Sequence, residues 1–376
     1  MEGASRVASV EDPSGEVTLG LSISLAGRFE AQGRQAARGL QLWVAQVNNA
    51  GGLTLRAGRR RVRLILSDDA SRTDSALRNV ERLLTEERVD ILIGPYSSGL
   101  TMAVAPLALA HGKLLWNHGG TSDALFDRGW PHLVSIGQLA STYFRSLPGL
   151  LRQVEPSVRK ITVVHSRRGT FASSVARGLS EAACATGIEL SRIIFDSPIH
   201  AAGRFVEQVL AENPECLVFA GSYESDVALV RASALTRRPR VLAAVAAGVY
   251  AFGRDLGPLS EGVIGPSQWE PELRVNPTIG PSSEAFLTAF HSTYQQEPDY
   301  TSAQAYALGL ILGRCVEQIG AVDDGGLLSV VPTLDVTTFF GRFRLDPVTR
   351  RQIGHRGCLI RWTAGRKAIL SEAGVE

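Results

Sequence analysis

The stretch ILIGPYSSGLTMAVAPLA, residues 91–108, decides how this chain is read. Ile91–Gly94 is short, apolar and bounded by Pro95, the pattern of a buried strand followed by a turn. A helix starts after two serines, and Ser98 stands where its N-cap belongs. Backbone N–H groups without partners collect at such a helix start, and the helix dipole adds positive potential there. Carboxylates and other anions bind well in that setting. Ser98 therefore reads both as a cap contributing about 1 kcal/mol and as a candidate ligand contact.

The pattern continues on both sides. Val17–Leu25 reads as a strand, Gln32–Asn49 as a helix stopped by Ala50-Gly51-Gly52, Val62–Ser67 as a strand and Thr73–Glu87 as a helix. After residues 91–108, Leu114–Trp116 reads as a strand. The order begins again with Leu133–Ile136 extended and Thr142–Val154 helical. Strands at Ile161–His165, Ile188–Phe195, Cys216–Ala220 and Val241–Ala244 then alternate with helices at Ala172–Thr186, Gly203–Glu212 and Ser225–Leu235. Such alternation implies α/β architecture with parallel sheets covered by helices, and ligands beyond the carboxyl ends of the strands. Two similar units in tandem suggest a ligand cleft between two lobes. Glu284–Gln296 and Ser302–Ile319 are strong helices without strands of their own. Gly257–Pro281 reads as a linker, and the tail carries short strands near Arg342–Leu345 and Cys358–Trp362.

Composition narrows the function. The chain has 376 residues, 44% hydrophobic and 20% charged, enough for two domains of a globular protein. The net charge of +2 and the lack of a basic stripe argue against a nucleic-acid partner. No apolar run reaches the roughly 20 residues of a membrane span. Met1–Gly15 lacks a signal-peptide pattern, which leaves a trimmed exported protein or a cytosolic one. Cys184, Cys216, Cys315 and Cys358 form no C-x-x-C pair. They read as buried thiols, with Cys184–Cys216 or Cys315–Cys358 as disulfide alternatives. No cofactor or metal site is expected. Asp68, Asp69 and Asp74 suit a strand end and a helix start better than an ion. Neither Gly221-Ser-Tyr-Glu-Ser225 nor His118-Gly-Gly120 makes a hydrolase constellation, so the chain reads as a non-enzyme.

Six ordered segments resemble one family: Leu19–Gly27, Val47–Leu53, Asp68–Asp74, Ile93–Ser98, Asn117–Thr121 and Glu261–Ile264. Across Val17 to about Ala364 the chain is similar to type I periplasmic solute-binding proteins of the Leu/Ile/Val-binding class, the receptors of ABC importers. The resemblance implies two Rossmann-like lobes joined by three crossings, lobe one at 15–137 plus 266–340 and lobe two at 138–265 plus 341–376. It implies a small-molecule ligand, an ABC permease as partner and a periplasmic or cell-surface location. A cytosolic amide-type sensor on the same fold is the alternative.

The resemblance also suggests site residues. Ser98, Gly119 and Thr121 match the family's carboxylate clamp, although Thr121 also suits a helix cap. Phe171 stands where the family has tyrosine, so the ring is kept and a hydroxyl lost. Tyr223 could supply another hydroxyl. Tyr96, Phe29 and Gln32 could line or floor the pocket, and Ala246 lies in the stretch Val241–Ala247. Amino-acid-binding members carry an acid in that stretch to pair with the ligand ammonium, whereas here it is wholly apolar. A buried unpaired ammonium costs several kcal/mol. A carboxylate-bearing ligand without an α-ammonium is therefore expected, unless Glu30, Glu224, Asp226 or Asp299 takes that place.

Overall fold

A computed structural model describes residues 15–372. The first lobe opens with β1 (Val17–Ile23), α1 (Glu30–Asn49), a small hairpin of β2 (Leu53–Leu55) and β3 (Gly58–Arg60), β4 (Val62–Asp68) and α2 (Thr73–Thr85). It continues with β5 (Ile91–Ile93), α3 (Ser98–Ala110), β6 (Leu115–Asn117) and β7 (Leu133–Ser135). These strands form the parallel sheet β4-β1-β5-β6-β7. Every residue of β1 is buried, as expected for a strand covered by helices on both faces.

The second lobe runs through α4 (Leu147–Val154), β8 (Lys160–Ser166), α5 (Phe171–Ala185), β9 (Glu189–Phe195), α6 (Ala202–Ala211), β10 (Cys216–Ala220) and α7 (Tyr223–Leu235). Then come β11 (Val241–Ala244), α8 (Tyr250–Leu256) and β12 (Ile264–Ser267). The chain returns for α9 (Ser283–Tyr294), α10 (Tyr300–Ile319), α11 (Asp324–Val330) and the hairpin of β13 (Asp335–Thr338) and β14 (Gly341–Arg344). It ends in β15 (Cys358–Thr363) and β16 (Arg366–Glu372), which extend the second sheet in the order β16-β15-β12-β11-β10-β8-β9. The helices at the return share one core with the first sheet: Trp43 of α1, Phe286 and Phe290 of α9, and Leu308 and Leu312 of α10 are buried together. That is why they need no strands of their own.

The chain passes between the lobes after β7, after β12 and after β14. Several sequence expectations shift accordingly. Residues 257–281 are not a plain linker, because they contain the fully buried strand β12. A division at 265/266 would cut that strand, and one at 340/341 would cut the β13–β14 hairpin, whose Phe343 belongs to the first lobe's core. Thr142–Val154 is helical only from Leu147, after a short turn at Ala140–Thr142. Pro148 at the helix start is compatible with that boundary. Cys184 is exposed, not buried, while Cys216 and Cys315 are buried. Cys184, Cys216 and Cys315 are unbridged thiols, so neither proposed disulfide exists.

Buried amides tie the three passages together. Gln268, in the second, accepts from the Gln138 backbone N–H in the first at 2.9 Å. The Gln138 side chain accepts from the Gly357 N–H in the third at 2.9 Å. Gln352 donates to the Ile136 carbonyl at 3.1 Å. Beside this knot, Lys367 of β16 meets Glu270 at 2.7 Å and Asp299, at the start of α10, at 3.5 Å. Burial alone would pull the Lys367 ammonium down, but Glu270 and Asp299 outweigh it and hold its pKa up. Asp299 also accepts from the Tyr250 N–H of α8.

α5 packs closely on the first passage. A Cβ at Gly178 would stand 1.7 Å from the Ser141 carbonyl oxygen, so the helix approaches only because this residue has no side chain. Gly178→Ala is expected to lower stability by about 1–3 kcal/mol, read from the urea midpoint. An unchanged midpoint would show that the contact is not required.

Candidate functional site

The carboxyl ends of the strands in both sheets face a cavity of about 430 Å³ between the lobes. Nine of the residues singled out from sequence line it: Phe29, Gln32, Tyr96, Ser98, Gly119, Thr121, Phe171, Tyr223 and Ala246. The structure therefore brings together positions spread over more than half of the chain.

The lobe-one wall is built around the start of α3. Ser97, not Ser98, is the N-cap: its Oγ accepts from the Leu100 N–H at 3.3 Å. Ser97 holds φ at 90°, a region that L-residues rarely adopt, and this turn places Ser98 inward. Ser98 Oγ accepts from the backbone N–H groups of Thr121 and Ser122, at 3.1 and 2.9 Å. A hydroxyl that accepts twice keeps its own hydrogen for a further acceptor. Gly119 lies against Tyr96, where a Cβ would come within 2.7 Å of the ring. Neighbouring His118 is buried, which pushes its pKa down to about 4 and keeps the imidazole neutral.

Beside Ser98 and Thr121 lies a set of phenols, of which sequence reasoning found only Tyr96. Thr121 Oγ1 and the Tyr143 hydroxyl are 3.2 Å apart, and Tyr143 accepts from the Gln268 side chain at 3.1 Å. Tyr96 is hydrogen-bonded to Tyr300, and burial pushes its pKa up to about 12. Burial likewise raises Tyr143 and Tyr300. All three therefore remain neutral at physiological pH. Tyr143, Gln268, Tyr300 and Gln304 line the cavity yet sit in segments without a motif. Their one sequence signal is that they lie at lobe crossings or a helix start.

The lobe-two wall departs from expectation in two ways. Tyr223 presents its ring, but its hydroxyl donates to Asp255 at 2.7 Å, so it does not replace the hydroxyl missing at Phe171. Phe171 stacks edge-on against Tyr143, with centroids 5.5 Å apart. Of the four acids considered, Glu30 is exposed and pairs with Arg34, Glu224 is exposed, and Asp299 is held by Lys367 and Tyr250. Asp226 lines the cavity with 0% exposure. Its Oδ2 accepts from the Ala246 N–H at 3.0 Å, so it docks on the same apolar stretch that lacks an acid of its own. Asp226 thus adds a buried acid from α7 to a wall that also carries Arg168, and it is one of the four acids the sequence left open for an ammonium.

Burial pushes Asp226 up to about 7, helped by Glu224 and opposed by N–H groups of Ala246, Gly221 and Val245. The folded state therefore binds this proton more tightly than the unfolded chain. The stability it contributes is complete below pH 3.8 and falls as pH rises to about 7. In ligand-free calorimetry, the melting temperature of Asp226→Asn should fall less between pH 4.5 and 7.5 than that of the unmodified protein. Parallel curves would refute this.

With this geometry in view, comparison with known proteins places the chain. The profile of the periplasmic binding protein family matches residues 16–367. The chain belongs to that family, and its fold is that of the type I members. A similar curated protein, Leu/Ile/Val-binding protein homolog 7 of Brucella suis biovar 1, is 23% identical over 361 residues, covering 89% of this chain and 85% of the relative. The structure superposes on the branched-chain amino acid transporter substrate binding protein LivJ of Streptococcus pneumoniae, solved with isoleucine. The TM-score is 0.83 at 18% identity, covering 94% of this chain and 99% of the other. It superposes equally widely on an ABC transporter solute binding protein of R. palustris solved with benzoate: TM-score 0.80, 19% identity and 96% of both chains. The shared fold thus accommodates ligands with and without an ammonium group.

Proposed function

We propose that this protein is the extracytoplasmic receptor of an ABC importer and captures a small carboxylate-bearing solute by closing its lobes. The observation that carries the reading is the clamp at Ser98. Its hydrogen is available beside the Thr121 hydroxyl and the Gly119 turn, at the start of a helix whose dipole favours an anion. The family and its relatives support a receptor rather than a catalyst.

Lobe closure supplies the capture. Ser122 Oγ of lobe one donates to Thr170 Oγ1 of lobe two at 2.8 Å, and Arg177 of α5 reaches Asp123 at 2.9 Å. These contacts bring the helix starts of both lobes to one cavity, and breaking them opens a hinge at the three passages. We assign lobe one to residues 15–135 with 283–344, and lobe two to residues 147–267 with 358–372. The closed surface is then the one a permease would read.

A thermal-shift panel of amino acids, 2-oxo acids, aromatic acids and amides should contain a stabilising carboxylate. Ser98→Ala and Thr121→Ala should each weaken its binding about tenfold, near 1.4 kcal/mol, within the range of one hydrogen bond to a charged group. Small-angle scattering should show the compact form gaining population with that ligand. Unchanged affinity in both variants would remove the clamp from the site.

A further inference from the structure

The charged residues lining the cavity are Arg28, Arg168 and Asp226, and of these the two arginines are exposed, at its mouth. They come from equivalent loops of the two lobes. Arg28 lies between β1 and α1, and Arg168 between β8 and α5. β1 stands between β4 and β5, and β8 between β9 and β10, the same place in each lobe's sheet. Each arginine adjoins a glycine of positive φ, Gly27 at 80° and Gly169 at 76°, so both loops turn sharply beyond the strand end. Among the described residues neither guanidinium forms a hydrogen bond or an ion pair; that of Arg28 lies over the Phe29 ring, 4.5 Å from its centroid. Burial and the neighbouring charge of Arg168 both disfavour the Arg28 cation, and Glu224 offsets them in part. Asp226 is withdrawn into the wall, where backbone N–H groups of Ala246, Gly221 and Val245 hold it.

Resting on the reading of this cavity as the solute site, we propose that the solute carries a second acidic group, as a dicarboxylate does, which Arg28 and Arg168 clasp from opposite lobes. One carboxylate then meets Ser98 and Thr121, and the other lies at the mouth. Closing the lobes carries two like charges to one cavity, and their repulsion opposes closure. An anion between them replaces that repulsion with two attractions. A guanidinium presents a planar fork of donors that matches a carboxylate, and two such forks from different lobes hold the closed form together through the solute. The starts of α1 and α5 lie within three residues of the two arginines, and their dipoles add positive potential at the same place. A cavity of about 430 Å³ has room for a solute that reaches from Ser98 to the mouth. A singly charged solute leaves the arginines facing each other, so Arg28 and Arg168 select for the second charge.

Calorimetric titration of the full chain with three matched pairs tests this: glutamate against glutamine, 2-oxoglutarate against 2-oxopentanoate, and terephthalate against benzoate. The expected result is at least a tenfold preference for the doubly charged member in one or more pairs, with slower dissociation in stopped-flow measurements. Arg28→Gln and Arg168→Gln should each cut that preference at least threefold, through faster dissociation. Both side chains are exposed, so each variant should keep the melting temperature of the unmodified protein. Equal or tighter binding of the singly charged member in every pair would overturn the proposal. So would a preference that survives both variants, or one that they reduce only by slowing association, which would mark the arginines as steering charges. If a singly charged member binds and Ser98→Ala weakens it, the carboxylate receptor stands and only the second acidic group falls. The same holds if none of the six binds while the thermal-shift panel yields a stabilising monocarboxylate. Binding of no carboxylate in either assay overturns both.

Discussion

The side-chain amide of Gln268 is the constraint around which this molecule is arranged. Its oxygen accepts from the first passage between the lobes, and its nitrogen donates to Tyr143, whose hydroxyl meets Thr121 in the clamp. Gln268 is 2% exposed, so bulk water has little access to either bond. Breaking one bond leaves a buried polar group unpaired, which is why such networks move as units. The passages between the lobes and the Ser98–Thr121 wall are therefore joined by a continuous chain of hydrogen bonds.

The second support of the hinge is ionic. Lys367, Glu270 and Asp299 are withdrawn from water, with the Tyr250 ring 3.9 Å from the ammonium. Buried charges give little net stability, but removing one member is costly because the others remain unpaired. The cluster joins β16 of lobe two to the start of α10 on lobe one, and the next residue, Tyr300, lines the cavity. Its position suits registry between lobes better than general stability.

The pocket combines two kinds of wall. Lobe one presents helix-start donors, neutral phenols and the Ser98 hydroxyl, a surface suited to a carboxylate. Lobe two presents the rings of Phe171 and Tyr223 and one buried acid. Hydrogen-bonding groups unpaired at such a site discriminate strongly among ligands, because a ligand that fails to match them leaves them without partners.

Much of this was legible in the sequence. Alternation of apolar runs and amphipathic segments fixes parallel α/β lobes, since strands buried on both faces must be apolar and the helices covering them must have one apolar side. The turn at Gly94–Ser98 marks a strand end facing a cavity, and that cavity is lined by the nine positions read as pocket residues, while three of the four acids considered lie outside it. Which of two adjacent serines caps α3 was not legible, because that depends on the φ of Ser97 and on Thr121 and Ser122, distant in sequence. Nor was the hydroxyl of Tyr223, which a neighbour on α8 takes up. The acid of lobe two was written in the chain as Asp226, but four acids were equivalent until packing exposed one, paired another and turned a third to the surface. Local sequence determines elements because periodicity and caps act over a few residues. The polarity of the site was decided only by tertiary structure, because burial and hydrogen-bond partnership depend on segments that meet only after folding.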